Sequence, residues 1–170
     1  MKLLRMVAVM AAVALAGCSH NAADEAAANG AGAGAGAGAG YNAGQPAPDT
    51  VEYFNQVVGD RVFFGTDEYT LDAQAQETLR RQAEWLSAHP ATTVTVEGHA
   101  DERGTRAYNL ALGARRANSA REFLVAQGVA PTRVRAVTYG KERPVALCSA
   151  ESCWSQNRRA VSVVVGMPTG

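Results

Sequence analysis

The chain has 170 residues, which is enough for one domain with modest additions. Sixteen lysine and arginine residues balance sixteen aspartate and glutamate residues, so the formal net charge is zero. This balance gives no strong field that would favour nucleic acid or an anionic membrane surface, and we expect no nucleic-acid partner.

The start of the chain has the pattern of a secretory signal peptide. Lys2 and Arg5 supply a positive start, and an apolar run of eleven residues follows. This run is shorter than the roughly 20 residues that a membrane-spanning helix needs, so residues 1–17 are expected to be cleaved off.

The sequence Leu-Ala-Gly-Cys that ends at Cys18 resembles a bacterial lipobox, whose cysteine carries a diacylglycerol and an N-acyl chain. The alternative is an ordinary cleavage site with a chance cysteine. Ser19, instead of an aspartate, resembles the pattern of lipoproteins sent to the outer membrane.

Residues 18–51 are expected to form a flexible tether, and residues 52–170 a folded domain. The tether contains an alternating Ala-Gly run at 30–40 followed by Pro46 and Pro48, and such a sequence cannot bury a core. Silk-like packing is the alternative, but one short copy has no neighbours to stack on. Fully extended, the tether reaches about 110 to 120 Å.

In the rest of the chain, segments with the hydrophobic period of a strand, two residues, alternate with segments that have the period of a helix, 3.6 residues. Asp72 can cap a helix that Pro90 stops, and Gly128 can close the next helix. The predicted elements are strands at 61–64, 94–97, 134–139 and 160–165, with helices at 72–88 and from about 105 to 128. Their order indicates an α+β fold, a two-layer sandwich of a four-stranded mixed sheet with two main helices on one face. The strand order stays open.

The junction between the second strand and the second helix is unusually rich in charge. We expect a loop at 99–104, where an α/β fold commonly binds its ligands. Six charged or titratable side chains lie at this junction: Glu97, His99, Asp101, Glu102, Arg103 and Arg106.

A helical wheel orients the side chains that follow this loop. The predicted core stripe consists of Leu110, Ala117 and Leu124, with Asn109, Gly113 and Arg116 on its shoulder and Arg115 toward solvent. Asp101 and Arg116 could then clamp a small ligand that carries both charges, with a bidentate fork for its carboxylate. The alternative is a salt bridge between them that only ties the loop to the helix.

Three segments together resemble the OmpA-like peptidoglycan-binding domain family, and within it the lipoproteins of the Tol-Pal system: VTVEGHADERGTRAYNLALGARRA, RVRAVTYGKERP and SQNRRAV. The resemblance covers about residues 61–165. It implies non-covalent binding to the diaminopimelate of peptidoglycan stem peptides, with Asp101 at the ammonium, Arg116 at the carboxylate and Asn109 assisting. Arg103, in the same loop, is included among the candidate ligand-binding residues. The resemblance also implies an outer-membrane lipoprotein that tethers the membrane to the cell wall, acts in cell division and docks with the periplasmic β-propeller TolB.

Three further residues are secondary candidates for the ligand site. In the family, the end of the first strand borders the pocket, which implicates Phe64 and Asp67; core packing and turn formation are their alternative roles. Arg158, in the NRR element before the last strand, matches a residue that can contact a ligand carboxylate. Its alternative is an ion pair with Glu97 or Glu102.

Cys148 and Cys153 are separated by four residues in a predicted loop. Outside the cytoplasm a disulfide between them is permitted, and it would stabilise the loop locally because it closes little chain. A metal site at this loop is not expected, because no histidine or third cysteine lies nearby.

Two other functions compete with ligand binding. An enzyme could use Glu97, His99 and Asp101 as metal ligands, or His99 as a general base. No serine or cysteine nucleophile accompanies the histidine, and the motif as a whole resembles that of a family that binds without catalysis. We therefore expect no catalysis, no metal and no cofactor beyond the lipid. A protein-docking adaptor with an incidental pocket is the second alternative.

Overall fold

The computed structural model describes residues 45–166. In chain order the elements are α1 Val51–Tyr53 continuing as a π-helical segment Phe54–Gly59, β1 Arg61–Phe63, α2 Ala73–Ala88, β2 Thr93–His99, α3 Arg106–Ala126, a 3-10 turn Pro131–Arg133, β3 Val134–Gly140, α4 Glu151–Asn157 and β4 Arg159–Val165. Over 45–166, no helix is long and apolar enough to cross a membrane. The predicted signal peptide, Cys18 and most of the tether lie outside the described residues.

The four strands form one mixed sheet in the order β1-β4-β2-β3. β4 runs antiparallel to both of its neighbours, whereas β2 and β3 are parallel. The parallel pair follows from α3, because a chain that crosses a sheet through a helix returns in its original direction. The predicted two-layer α+β architecture is therefore confirmed.

The core lies between the sheet and the two long helices. Val94 and Val96 of β2 face the helices and are buried, together with Leu79 and Leu86 of α2 and Leu124 of α3. The intervening strand residues are more exposed because they point to the open face of the sheet. Burial on one face only is what an antiparallel or mixed sheet covered by a single helix layer requires.

The predicted helix boundaries agree with local capping. Asp72 Oδ1 accepts a hydrogen bond from Ala75 N at 2.7 Å, and Thr105 Oγ1 accepts one from Tyr108 N at 3.2 Å. Gly128, which follows the C-cap residue Gln127 of α3, has a φ of 99°, a conformation that glycine adopts without strain. Short polar side chains and one glycine therefore fix where α2 and α3 begin and where α3 ends.

Two predicted boundaries differ from the structure. β2 runs through His99, so the loop begins at Ala100, whose N–H still donates to Gly140 O at 2.8 Å. The packed chain also begins before residue 52, since Trp85 Nε1 donates to Pro48 O at 2.8 Å and Thr50 caps α1. Long-range contacts of this kind extend elements beyond what local periodicity shows.

The buried face of α3 is rotated from the predicted one. Leu110 is only half-buried, whereas Leu112 is buried and Arg116 has no exposed surface. The centre of the buried face therefore lies near Asn109 and Arg116, which places Arg116 in the interior and not on a shoulder. Arg115 is exposed, as predicted.

Two glycines set the distance between α3 and the sheet. A Cβ atom on Gly98 of β2 would lie 1.8 Å from Gly113 O, and one on Gly113 of α3 would lie 2.5 Å from Thr138 Oγ1 and 2.9 Å from Gly98 O. Real Cβ atoms do not approach other atoms this closely, so helix and strand can meet here only because both positions lack a side chain.

Gly113→Ala tests this close approach, because the sign of the change in the free energy of unfolding depends on it. Helix propensity alone would stabilise the protein by about 1 kcal/mol. We expect a net loss of about 1 to 2 kcal/mol in the free energy of unfolding, because the added methyl group overpacks the contact with Thr138 and Gly98. Gly98→Ala, which meets a backbone carbonyl, should cost more. Urea unfolding of both variants measures the effect, and stabilisation by Gly113→Ala would contradict it.

Candidate functional site

A cleft of about 300 Å³ opens where β2 ends and α3 begins. One wall is the β1–α2 loop, and the other is the first three turns of α3. The residues that line it are Thr66, Asp67, Asp101, Arg103, Gly104, Tyr108, Asn109, Leu112 and Arg116. The structure thus brings together five of the seven predicted ligand-binding residues and leaves Phe64 and Arg158 off the cleft surface.

Arg116 is held at the base of the cleft by backbone carbonyls. Its Nε donates to Glu68 O at 2.7 Å, Nη1 to His99 O at 2.9 Å and Nη2 to Gly65 O at 3.0 Å. Its guanidinium carbon also lies 5.2 Å from the centre of the Phe64 ring. Burial lowers the pKa of Arg116 to about 10, although the negative charge of Asp101 opposes that shift. The side chain is therefore a fixed cation at neutral pH.

Asp101 is a buried carboxylate held by two arginines. Oδ1 accepts from Arg103 N at 3.1 Å, and Oδ2 accepts from Arg103 Nη2 at 2.7 Å and from Arg158 Nη1 at 3.4 Å. Burial by itself raises the pKa of this carboxyl, but the hydrogen bonds from Arg103 and then Arg158 outweigh it, and the pKa lies below its ordinary value. Asp101 is therefore ionised at neutral pH.

Arg158 lies behind Asp101. Nε donates to Phe64 O at 3.0 Å, and both terminal nitrogens contact the carboxylate of Glu151, the first residue of α4. The alternative prediction, an ion pair of Arg158 with Glu97 or Glu102, is wrong. The acidic partners of this arginine are Asp101 and Glu151. Sequence spacing misses these pairs because α4 folds back toward the loop after β2.

Asn109 and Arg103 complete the loop side of the cleft. Asn109, almost completely buried, donates from Nδ2 to Arg103 O at 2.7 Å, which fixes the loop against α3. The Arg103 side chain is 39% exposed, and its guanidinium also lies 4.2 Å from the centre of the Trp154 ring. Arg103 is therefore the more exposed of the two arginines on Asp101, since Arg158 is buried.

Asp67 and Phe64 lie in the β1–α2 loop as expected, but in different roles. Phe64 is buried beneath Arg116, so its contact with the site is indirect. Asp67 lines the cleft, accepts a hydrogen bond from the Tyr108 hydroxyl and has a φ of 59°. A non-glycine residue in this conformation often marks a ligand site, because the surrounding structure has to hold it there.

Sequence reasoning missed Tyr108, which lines the cleft and bridges its two walls through Asp67. The helical wheel places it away from the core stripe, and the signal that could have identified it is an aromatic residue in the first turn of a helix after a charged loop. Trp154, beneath Arg103, was missed as well.

His99, which the enzyme alternative takes as a metal ligand or a general base, is the last residue of β2. No group of three His, Cys, Asp or Glu side chains in residues 45–166 is arranged to hold a metal ion. The His99 ring is buried and stacked on Tyr139, and neither ring nitrogen has a hydrogen-bond partner in this part of the chain. Burial, followed by the nearby charges of Arg159 and Arg143, lowers its pKa to about 4. The ring is neutral at pH 7.

A disulfide joins Cys148 and Cys153, with 5.6 Å between their Cα atoms. It closes the loop before α4 onto the first turn of that helix. The same loop is fixed by Ser149 Oγ, which donates to Glu102 Oε1 at 2.6 Å. The permitted disulfide is thus present, and it stabilises a segment next to the Asp101 loop.

The chain is similar in sequence to one family of proteins and to named members of it. The model of the OmpA family matches residues 63–159. The chain is 52% identical to the peptidoglycan-associated lipoprotein of Agrobacterium fabrum over 97% of this chain and 91% of that protein. The corresponding Mesorhizobium japonicum protein is 51% identical over 95% and 91%.

Solved structures share the fold. The crystal structure of the peptidoglycan-associated lipoprotein from Burkholderia pseudomallei has a TM-score of 0.65 and 39% identity, and the match covers 70% of this chain and all of that one. The C-terminal domain of Helicobacter pylori MotB has a TM-score of 0.59 at 19% identity, covering 62% of this chain and 84% of that one, and shows likeness of fold alone.

The buried histidine predicts a pH dependence of stability. The unfolded chain, with a histidine pKa near 6.5, binds more protons than the folded chain between about pH 4 and 6.5. The contribution of neutral His99 is therefore present above pH 6.5 and is lost as the pH falls toward 4, by up to about 3 kcal/mol. His99→Phe keeps the stacked ring and removes the titration.

The measurement is urea unfolding at pH 4.5 and pH 7 for both proteins. The loss of stability on acidification should be smaller in His99→Phe than in the unaltered chain. An equal loss in the two proteins would show that His99 does not titrate between these pH values.

Proposed function

The chain belongs to the OmpA family, and from that membership we propose that it binds peptidoglycan non-covalently and ties the outer membrane to the cell wall. The similar proteins from Agrobacterium and Mesorhizobium are named peptidoglycan-associated lipoproteins. The proposed ligand is the diaminopimelate of uncrosslinked stem peptides, whose free end carries an ammonium and a carboxylate on one carbon. A site for this group needs an anion and a cation that are close together but not bonded to each other.

The observation that carries the proposal is that Asp101 and Arg116 meet this requirement. Both line the same cleft, and within the described residues no ion pair joins them. Three of the five N–H groups of Arg116 donate to carbonyl oxygens. The remaining N–H on Nη1 and the one on Nη2 have no acceptor within residues 45–166. A guanidinium that is fixed in place and has two further N–H groups suits the two oxygens of a carboxylate.

The ligand ammonium binds Asp101 by replacing the guanidinium of Arg103, one of its two arginine partners. The Arg103 side chain is 39% exposed, so its guanidinium can move into solvent and leave its place on Asp101 to the ligand ammonium. Arg158, which is buried, remains behind the carboxylate and keeps it oriented. The ligand therefore meets a carboxylate whose position is already set.

The rest of the proposed function depends on residues outside the described range. A lipid on Cys18 anchors the chain in the outer membrane, and the tether between Cys18 and the packed domain lets the domain reach the wall from the periplasm. The affinity of one domain for the wall can be low, because many copies anchored in one membrane bind many sites on a repeating polymer. Linked sites of this kind act at high effective concentration and give a strong attachment overall. Docking to a TolB-like β-propeller in the Tol-Pal system, during outer-membrane constriction, is part of the same proposal.

Binding without catalysis fits the cleft better than the enzyme alternative does. His99 is neutral and buried, and its neighbour Arg116 contacts the His99 carbonyl instead of its ring. The charged groups in the cleft are held by other protein groups, as suits recognition of a charged ligand. We therefore propose no reaction at this site.

Asp101→Asn tests the ligand site. It keeps the shape of the side chain and removes its charge, so the domain should fold. Affinity for purified peptidoglycan should fall by at least about thirtyfold, because the ligand ammonium would be buried without a counter-charge. Arg116→Lys should lose both affinity and thermal stability, since one ammonium cannot replace three donors to separate carbonyls.

The control is Arg135→Ala, which removes an exposed arginine of β3 that does not line the cleft and should leave binding nearly unchanged. Co-sedimentation of the intact chain with purified cell wall measures all three variants. Free diaminopimelate should compete with the wall. Normal sedimentation of a folded Asp101→Asn protein, or no competition by diaminopimelate, would refute the proposed site.

Cys18→Ser tests the anchor. Without a lipidated cysteine the protein should leave the membrane fraction and appear in the soluble periplasmic fraction, with the thermal unfolding of its domain unchanged. Fractionation of cells followed by immunoblotting distinguishes the two outcomes. A variant that stays in the membrane fraction would count against lipidation of Cys18.

A further inference from the structure

A second groove lies farther along α3 and has no role in the site described above. It has a volume of about 430 Å³ and lies between the end of the β1–α2 loop and the C-terminal half of α3. The residues used below that line it are Tyr69, Thr70, Gln76, Ser119, Glu122 and Phe123.

The chemistry of this second groove suits a sugar. Tyr69 is 44% exposed, and Arg115 lies 5.1 Å from the centre of its ring, which supports the ring from one side. Around it are two hydroxyls and one amide, and the Gln76 amide is already oriented by its donation to Leu71 O at 3.0 Å. An exposed ring can stack on the C–H face of a pyranose while neighbouring polar groups bind its hydroxyls.

An apolar peptide or a lipid fits the same groove less well. Phe123 and Leu71 are half-buried against the core, so they add little free apolar surface. Glu122 is exposed at the edge and would repel an acidic ligand, whereas it can accept hydrogen bonds from sugar hydroxyls. A neutral polar ligand is therefore favoured.

The spacing between the cleft and the second groove matches the chemistry of a muropeptide. Leu112 lines the cleft and Ser119 lines the second groove. They are separated by seven residues, two turns on nearly the same side of α3, or about 10 Å. In a stem peptide two residues and a lactyl group separate the diaminopimelate from its sugar. At about 3.5 Å for each extended residue, with additional bonds in the γ-linked glutamate and the diaminopimelate side chain, the extended link is longer than about 10 Å and can therefore cover this separation.

We propose that the second groove is a glycan subsite, which binds the N-acetylated amino sugar that carries the stem peptide while diaminopimelate occupies the cleft. The inference rests on the proposed function, because it takes the position of diaminopimelate as its starting point. The chain then recognises the junction of glycan and peptide and not the peptide end alone. Tyr69 is the residue on which the sugar stacks.

The test compares two ligands on the intact chain by calorimetry. One is the stem tripeptide alanyl-γ-glutamyl-diaminopimelate, and the other is the same tripeptide attached to the N-acetylglucosaminyl-N-acetylmuramic acid disaccharide. The disaccharide form should bind about three- to tenfold more tightly, the gain expected of one well-placed ring contact. Tyr69→Ala should remove this gain and leave binding of the bare tripeptide unchanged.

Two variants make the outcome specific. Tyr69→Phe should retain the gain, because the ring and not the hydroxyl stacks on the sugar. Leu147→Ala, which removes another exposed apolar side chain that lines neither groove, should behave like the unaltered chain. Equal affinity of the unaltered chain for both ligands, or an equal loss for both in Tyr69→Ala, would overturn the glycan subsite and leave the peptide site standing. Failure of both ligands to bind would overturn the proposed function and this inference with it.

Discussion

The structure depends on the hydrogen bonds of one buried cation. Arg116 has no exposed surface, and each of its three side-chain nitrogens donates one hydrogen bond to a backbone carbonyl, which offsets the cost of burying the charge. It donates to Gly65 and Glu68 on one side and to His99 on the other, so it joins the β1–α2 loop to the end of β2. The two walls of the cleft are consequently fixed relative to each other before any ligand arrives.

The charge pattern around the cleft follows from the same constraint. Asp101 faces into the cleft between an exposed arginine and a buried one, and Arg158 is itself oriented by Glu151 of α4. A carboxylate held on two sides needs little reorganisation to accept a new cation, which is how a protein obtains affinity from preorganisation. The disulfide of Cys148 and Cys153 stabilises the first turn of α4, and thus the support behind Asp101.

Helix α3 lines both the cleft and the second groove. Since Gly98 and Gly113 let the helix lie directly on β2, Arg116 comes within hydrogen-bond distance of the strand end. The same side of α3 continues past Arg115 to the second groove. One helix therefore presents charged and sugar-compatible surfaces along a line that suits a branched polymer of peptide and glycan.

The sequence by itself determined the main elements, the α+β class and which of Arg115 and Arg116 faces the interior, because periodicity and capping are local. It misjudged the centre of the buried face of α3, the end of β2 and the partners of Arg158. Those depend on contacts between residues far apart in the chain: Arg116 with carbonyls 48 and 51 residues away, and Arg158 with Asp101, 57 residues away. Only the tertiary structure decided which groups meet in the cleft, because a hydrogen-bond partner is set by proximity in space and local sequence carries no record of it.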